Sequence, residues 1–593
     1  MTTMRSNRSD FLLKRIILGI PEVLNNKLLG LLLLCNLIMA SGCSIDSTPS
    51  TNAPTDLHAS TPASNSDANV IQPTPTKEKL TIVSTPLPLD DTNSPRGEIK
   101  GTVIAAAAAI PANQEVHREI VDGIIELGPG LAYSRLLRFK SGSNVNLPSM
   151  IVECELCVSW ENPDPLTYIF QLRDDVKWQE SDPLLGRKLI ASDVEFSLNR
   201  VRNTGWAAAS LLQSIDSVEA KGDDSVIIHL AYRDSDFLIQ LANGINRIIA
   251  PEAVLPDGDL SNGPTVGSGP WSMDTYKKGS IKLERNMDYF EGGVPGLESL
   301  QIMAIPSSET RIAAILTGRV DLVPLDVDGY GQLKDNNANL TIRHFPEQGT
   351  GSVVVFNTRR PPFDQVALRR AVLYGIDPWK AINNVSYGIG DVSMGIPVLD
   401  FDWLLSRDRM ERYLGNRIKS KQLLADHAES GAVPFTLKVA DYGDMYLNLA
   451  NEYKEMLDEV GFSVDVETLN PRSYVEDLWQ GDEFQAFFGP VTPADNPNAY
   501  LFGLLHSEGR WNVTGNADVN LDELIENQAT TLVDRKQKLL DIQEHVIDKA
   551  LMFMPVTGAR IWASNGRVSD FHPNVVGGEY FYWARLKDAG QLR

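Results

Sequence analysis

Apolar Tyr168, Phe170 and Leu172 alternate with Ile169 and Gln171, and β-branched and aromatic residues dominate, so a strand is expected there. After a polar loop, Ser192 and Glu195 have capping-box spacing ahead of Val194, Leu198 and Val201, which predicts a helix opening at that pair. Upstream, 97–109 has the composition of a first core strand. Downstream, Ile312, Ile315 and Leu316 keep helical spacing up to Gly318, a C-cap residue. Val353–Thr358 is an apolar run expected as a buried strand, with an amphipathic helix after it. Phe435–Val439 alternates, Leu447–Val460 is helical and stopped by Gly461, and Phe462–Val466 alternates again. That βαβ order suits a parallel sheet covered by helices. Phe484–Phe488, a helix over Leu521–Ile547 and the strand Phe553–Val556 complete the pattern, which divides into two lobes.

The amino end follows other rules. Arg5, Arg8, Lys14 and Arg15 form a basic leader, and Lys27 precedes the run LLGLLLLCNLIMA, which has the length of a signal-peptide core rather than of a membrane span. It ends in Ala40-Ser41-Gly42-Cys43, similar to a lipobox, so 1–42 is expected to be removed and Cys43 lipidated; Ala40 stands where such boxes usually carry Leu. Several acyl chains on one Cys hold a protein at a membrane where a single chain would not. From Cys43 to 96, Ser, Thr, Pro, Asn and Asp dominate and repeated Thr-Pro pairs block helix, which predicts a disordered tether. A coil of that length reaches on the order of 40 Å.

The 593 residues exceed one simple core, and the net charge of −23 becomes −26 once the leader takes five basic and two acidic side chains with it. Such a surface repels nucleic acid and anionic headgroups. There is no Gly-x-Ser-x-Gly elbow, His-Glu-x-x-His, Walker loop or spaced Cys/His set, so neither an enzyme nor a metal site nor a cofactor is expected. With Cys35 in the leader and Cys43 lipidated, Cys154 and Cys157 are the cysteines that remain. Outside the cell this pair is a disulfide candidate. A redox role would need a helix start after the first Cys, and a metal would need two more ligands than the neighbourhood offers.

Further motifs specify a family. Phe170, Leu172-Arg173, Val176-Lys177-Trp178, Ala191, Asp193-Val194, Phe196-Ser197-Leu198 and Arg200 fit a pattern of the form FxLRxxVkW…AxDVxFSlxR. Val266-Gly267-Ser268-Gly269-Pro270-Trp271 leads to Leu283-Glu284-Arg285-Asn286 and Tyr289-Phe290, and Phe356-Asn357-Thr358 leads through Phe363 and Arg369-Arg370-Ala371 to Ile376-Asp377. These blocks resemble the family 5 extracytoplasmic solute-binding proteins, the oligopeptide-, dipeptide- and nickel-binding components of ABC importers. Ser181-Asp182-Pro183 departs from the family's Asp-Gly after the Trp.

The resemblance implies an α/β, two-lobe periplasmic-binding-protein-like fold of type II, with an extra subdomain in the first lobe. On that basis 97–350 is the first lobe with an insert at about 134–255, 351–570 the second, and 571–593 a return to the first. It implies a monomeric receptor that captures peptides by hinge closure and hands them to ABC permease subunits. A receptor of the same fold for a metal chelate, opine or sugar, and a peptide-presenting sensor lipoprotein, remain open. Candidate ligand contacts are the aromatics Tyr133, Trp271, Trp403, Tyr442 and Trp511. Peptide-binding relatives carry a carboxylate for the peptide ammonium three residues before an acidic-Pro pair. Here that pair is Asn496-Pro497 and the position holds Pro493, which leaves Asp495 as the candidate.

Overall fold

In the computed structural model, residues 100–118, 122–255, 258–335, 340–427, 431–491, 494–574, 576 and 581–587 are described. The leader, Cys43 and the 43–96 tether lie outside them. No helix among the described residues is long and apolar enough to cross a membrane.

The frame is one ten-stranded mixed sheet. Its order is Phe462–Leu469, Val433–Ala440, Ala486–Pro490, Leu340–Phe356, Met552–Asn565, Leu322–Leu325, Thr102–Ala107, Ser299–Ala304, Ser280–Arg285 and Trp271–Lys277. The two central strands are the longest, and they are shared by both lobes. Thr341 to Pro346 pairs with the Ala559–Ser564 half of its partner, which in turn pairs with Leu322–Leu325. Ser352 to Phe356 keeps the Met552–Val556 half on that edge and pairs with Ala486–Pro490 on the other. Between these halves the register slips from Pro346 to Gly351, and Gly349 (φ 72°) and Gly351 (φ 141°) adopt conformations that few other residues tolerate. The register slip is the crossing point between lobes.

Four differences from the sequence expectations have physical causes. The strand expected at Val353–Thr358 begins thirteen residues earlier at Leu340, because Pro346 and the glycines interrupt the apolar pattern without ending the strand. The strand expected at Phe553–Val556 runs on to Asn565, because Leu340–Phe356 pairs with it along most of its length. The helix expected over 521–547 is two helices, Val519–Ala529 and Arg535–Asp548, separated at a left-handed Asp534 (φ 59°). The Ser192–Glu195 capping box does not form. The helix is Ala191–Val201, and Asp193 Oδ2 accepts from the Ile190 amide at 3.1 Å, while Glu195 accepts from the Ala220 amide.

The insert is an antiparallel sheet in the order Cys157–Asp164, Thr167–Leu172, Ser225–Leu230, Ile215–Lys221, with its own core around Phe170, Trp178 and Leu198. A disulfide joins Cys154 to Cys157 where Val152–Cys154 turns into the first of these strands. The first lobe is closely packed where the chain leaves for the insert and returns from it. A Cβ on Gly267 would lie 1.8 Å from the Ala132 carbonyl oxygen, and the Gly269 amide donates to that oxygen at 2.9 Å. The glycine run is therefore a packing device. Phe571, Phe581 and Ala584 close the core of the first lobe, and a larger core fills the second around Phe356, Tyr453 and Phe487.

Candidate functional site

At the crossing point the segment 389–399 runs along the second-lobe half of Met552–Asn565. Ser393 and Met554 exchange both backbone hydrogen bonds at 2.9 Å, the Thr557 amide donates to the Asp391 carbonyl at 2.8 Å, and the Asp391 amide donates to Thr557 Oγ1 at 2.9 Å. The Tyr500 hydroxyl supports the segment from below by donating to the Met394 carbonyl at 2.8 Å. At Gly395 (φ 78°) a Cβ would meet that hydroxyl oxygen at 2.5 Å, so a side chain there would displace the prop.

Between this segment and the crossing strands lies a cavity of about 280 Å³. Trp379, Phe401 and Leu404 form its apolar wall, and Glu347, Asp391 and Arg407 bring charge to its rim. Trp379 is held at the start of helix Pro378–Val385, whose N-cap Asp377 accepts from the Lys380 amide at 3.0 Å. Arg407 stacks on the Trp379 ring, 4.7 Å from its centroid, and pairs with Glu411 at 2.7 Å. Glu347 accepts from Thr350 Oγ1 at 3.0 Å and is ion-paired with Arg560, which also reaches Glu126 of the first lobe at 3.6 Å. An apolar wall with a few charged groups can orient a small amphipathic solute. The volume is at the low end of the roughly 300–1,000 Å³ common for such sites. No group of His, Cys, Asp and Glu among the described residues is arranged to hold a metal.

The structure does not gather the aromatics chosen from the sequence into this cavity. Tyr133 and Trp271, each 1 % exposed, line a separate cavity of about 30 Å³ inside the first lobe, together with Arg135, Glu155 and Arg247. Burial pushes the Tyr133 phenol well above its ordinary value. Tyr442 is in the second-lobe core, edge-on to Tyr474 with ring centroids 6.0 Å apart, and burial pushes its phenol up to about 12. Trp403 is half-buried, and its carbonyl accepts from Gln543 Nε2 at 2.8 Å. Trp511 is half-buried under Arg510, whose guanidinium is 5.0 Å from the ring centroid. Asp495 is exposed beside Ala494, whose carbonyl lies against Gly349 at the crossing. Glu347, Arg560, Trp379 and Arg407 went unnoticed in the sequence. The signal the sequence carries is Pro346, Gly349 and Gly351 inside an otherwise strand-like run, which marks the crossing beside the cavity.

The sequence profile of the bacterial extracellular solute-binding proteins, family 5, matches residues 127–512. The chain belongs to that family. It is therefore a solute-binding component of the extracytoplasmic side, and not an enzyme. Among family 5 relatives, the heme-binding protein A of Haemophilus influenzae is 25 % identical over 487 residues, covering 76 % of this chain and 86 % of that protein. The probable D,D-dipeptide-binding periplasmic protein DdpA of Escherichia coli is 25 % identical over 435 residues, covering 71 % and 81 %. Of solved structures, HbpA2 from Haemophilus parasuis superposes with a TM-score of 0.70 at 21 % identity, covering 82 % of this chain and all of that one, which establishes the shared two-lobe fold.

Proposed function

We propose that this family 5 protein is a monomeric receptor, anchored outside the cytoplasm through lipidated Cys43, that captures peptides between its lobes and delivers them to the permease of an ABC importer. The observation that carries the reading is the cavity at the crossing strands, where Glu347 and Asp391 offer carboxylates to an ammonium and Trp379 and Phe401 offer apolar surface to a side chain. Its volume favours short peptides. Asp495, exposed at the edge of the same crossing, is a third carboxylate that could take a peptide amine. Closure follows from differential affinity: ligand stabilises the state in which both lobes touch it. The name of the D,D-dipeptide-binding relative supports the peptide class, and that of the heme-binding relative defines its rival.

Native mass spectrometry of the purified protein, before and after mild denaturation, tests the reading. A heterogeneous set of co-purified masses fitting short peptides is expected, with occupancy lowered in Glu347→Gln and Asp495→Asn. One homogeneous non-peptide mass would overturn the peptide assignment and move the ligand to the chelate, opine or sugar class.

A further inference from the structure

By chain connection the insert belongs to the first lobe, yet its Asp234–Asp236 turn is bound to the second. The Ser235 amide donates to the Ala529 carbonyl at 2.9 Å, and the Ser235 hydroxyl donates to the Gln528 carbonyl at 3.1 Å. Arg535 donates from Nη1 to the Ser235 carbonyl at 2.9 Å and places Nη2 2.5 Å from Asp236 Oδ1. The other Asp236 oxygen accepts from the Asn498 amide at 2.7 Å, and Asn498 Nδ2 donates to Asp234 at 3.2 Å. Gln528 joins the two sides, donating to Asn498 Oδ1 at 2.7 Å and accepting from Arg535 Nε at 3.2 Å. Asp236 and Gln528 are fully buried and Arg535 is 4 % exposed, so this is an interior seam and not a chance surface pair. A second bond runs alongside it: the Met150 amide donates to the Leu399 carbonyl at 3.1 Å, and Leu399 packs on the core of the insert.

We propose that the Asp236–Arg535 cluster is a clasp that fastens the insert to the second lobe and must part whenever the lobes separate about the crossing strands. No covalent path joins the two sides except through the first lobe and those strands. Rotation at the crossing must therefore either break the clasp or tear the insert from the first lobe. The insert's seam to the first lobe is the tighter of the two. The Gln179 amide donates to the Gly267 carbonyl at 3.0 Å, Gln179 Nε2 donates to the Trp271 carbonyl at 2.8 Å, and Arg200 pairs with the buried Glu115 at 2.7 Å. The clasp is polar, so parting returns its charges to water, whereas an apolar seam of equal area would leave apolar faces exposed. It is a contact built to be remade in one register. Its role is to bias the population towards joined lobes before ligand arrives, which raises the fraction competent to hold ligand and slows entry.

The test needs no ligand. Small-angle X-ray scattering and amide hydrogen exchange are compared for the ligand-free wild type, Arg535→Met, Asp236→Asn and the pair Ser235→Cys/Ala529→Cys. In Arg535→Met the radius of gyration should increase and the Ser235 and Asn498 amides should exchange at least about tenfold faster, while the Gln179 and Gly267 amides, which bond across the seam to the first lobe, keep wild-type rates. The oxidised Cys pair should keep the compact radius, and its reduction should restore wild-type behaviour. An unchanged radius with unchanged exchange at Ser235 would overturn the clasp, as would faster exchange at Gln179 and Gly267, which would mean that the insert travels with the second lobe. Should Arg535→Met not fold, the Cys pair decides alone: an oxidised protein whose radius spreads as widely as the reduced form refutes the proposal.

Discussion

His117 should make the first lobe acid-labile, by an amount that can be worked out from its surroundings. The ring is fully buried. Its Nε2 is 2.7 Å from the Arg247 carbonyl, an acceptor, so Nε2 carries the proton and donates. The nearest charges are the Glu115 carboxylate, which accepts from the His117 amide at 2.9 Å, and the Arg200 guanidinium paired with Glu115 at 2.7 Å. Burial, and after it the charge on Arg200, lowers the imidazole from 6.5 to about 4. The unfolded chain therefore binds a proton that the folded one refuses between those values. Stability from this group is fully present above pH 6.5 and is lost as pH falls towards 4, by about 3 kcal/mol in all. Substitution with Gln keeps a donor for the Arg247 carbonyl and removes the titration. Urea unfolding at pH 7.0, 5.5 and 4.0, followed by tryptophan fluorescence, should show the wild type losing about 3 kcal/mol more than His117→Gln across the range, since the carboxylates that titrate there are common to both. Equal losses in the two proteins would refute the assignment of a buried, neutral His117.

At the clasp the sign reverses. Burial and the Asp236 carboxylate push Asp234 up to about 6, and the same side chain also faces Ser214, Tyr232, Asn498 and Arg535. Protonating it leaves one carboxylate for one guanidinium, so the clasp should tighten from pH 7 to pH 5 and weaken as pH rises through 6. The radius of gyration should follow that trend in the wild type and not in Asp234→Asn. Gly267→Ala should cost about 3 kcal/mol or prevent folding, because the added Cβ meets the Ala132 carbonyl. Gly279→Ala has open space around it but φ 89°, and should cost only about 1–2 kcal/mol in the same melting series. Replacing Cys154 and Cys157 with Ser should lower the melting temperature by a few degrees, since the closed loop is short; a shift above about 10 °C would contradict a purely local brace.

What the sequence disclosed of the fold, and what it hid, follows from where the information resides. The strand expected from Tyr168, Phe170 and Leu172 is the strand Thr167–Leu172, because half-buried alternation is a local signal. The helix over Val194, Leu198 and Val201 was equally legible, although its cap was not. Asp193 is recruited by Trp178 Nε1 at 3.2 Å and Arg187 at 2.8 Å as well as by the Ile190 amide, and such tertiary partners leave no trace in a short motif. The break at Asp534 was hidden for a related reason. Leu521, Ile525, Leu539 and Ile542 all pack into one core, so apolar spacing persists through a turn. The site was least legible. Choosing large aromatics selects for burial, which is how Tyr133, Trp271 and Tyr442 came to be chosen and why they lie inside the lobes. Glu347 and Arg560 are ordinary polar strand residues until two strands two hundred positions apart are paired.

The same pairing sets an order of mechanical weakness. Each lobe is held by an apolar core, the insert is joined to the first lobe by the buried Gln179 hydrogen bonds and the Arg200–Glu115 pair, and the lobes are joined to one another by two strands that share a slipped register at Pro346–Gly351. Across the remaining gap lie the Asp236–Arg535 cluster and the Met150–Leu399 bond. Buried polar contacts of this kind are strong while dry and weak once water enters, so they part together or not at all. Strands bent at glycines tolerate rotation with little loss of pairing. On the proposed reading, rotation concentrates at the crossing, beside the cavity bounded by Glu347, Trp379 and Asp391. On that reading, a solute bound there and a clasp closed elsewhere would act on the same rotation, so each would strengthen the other without touching it.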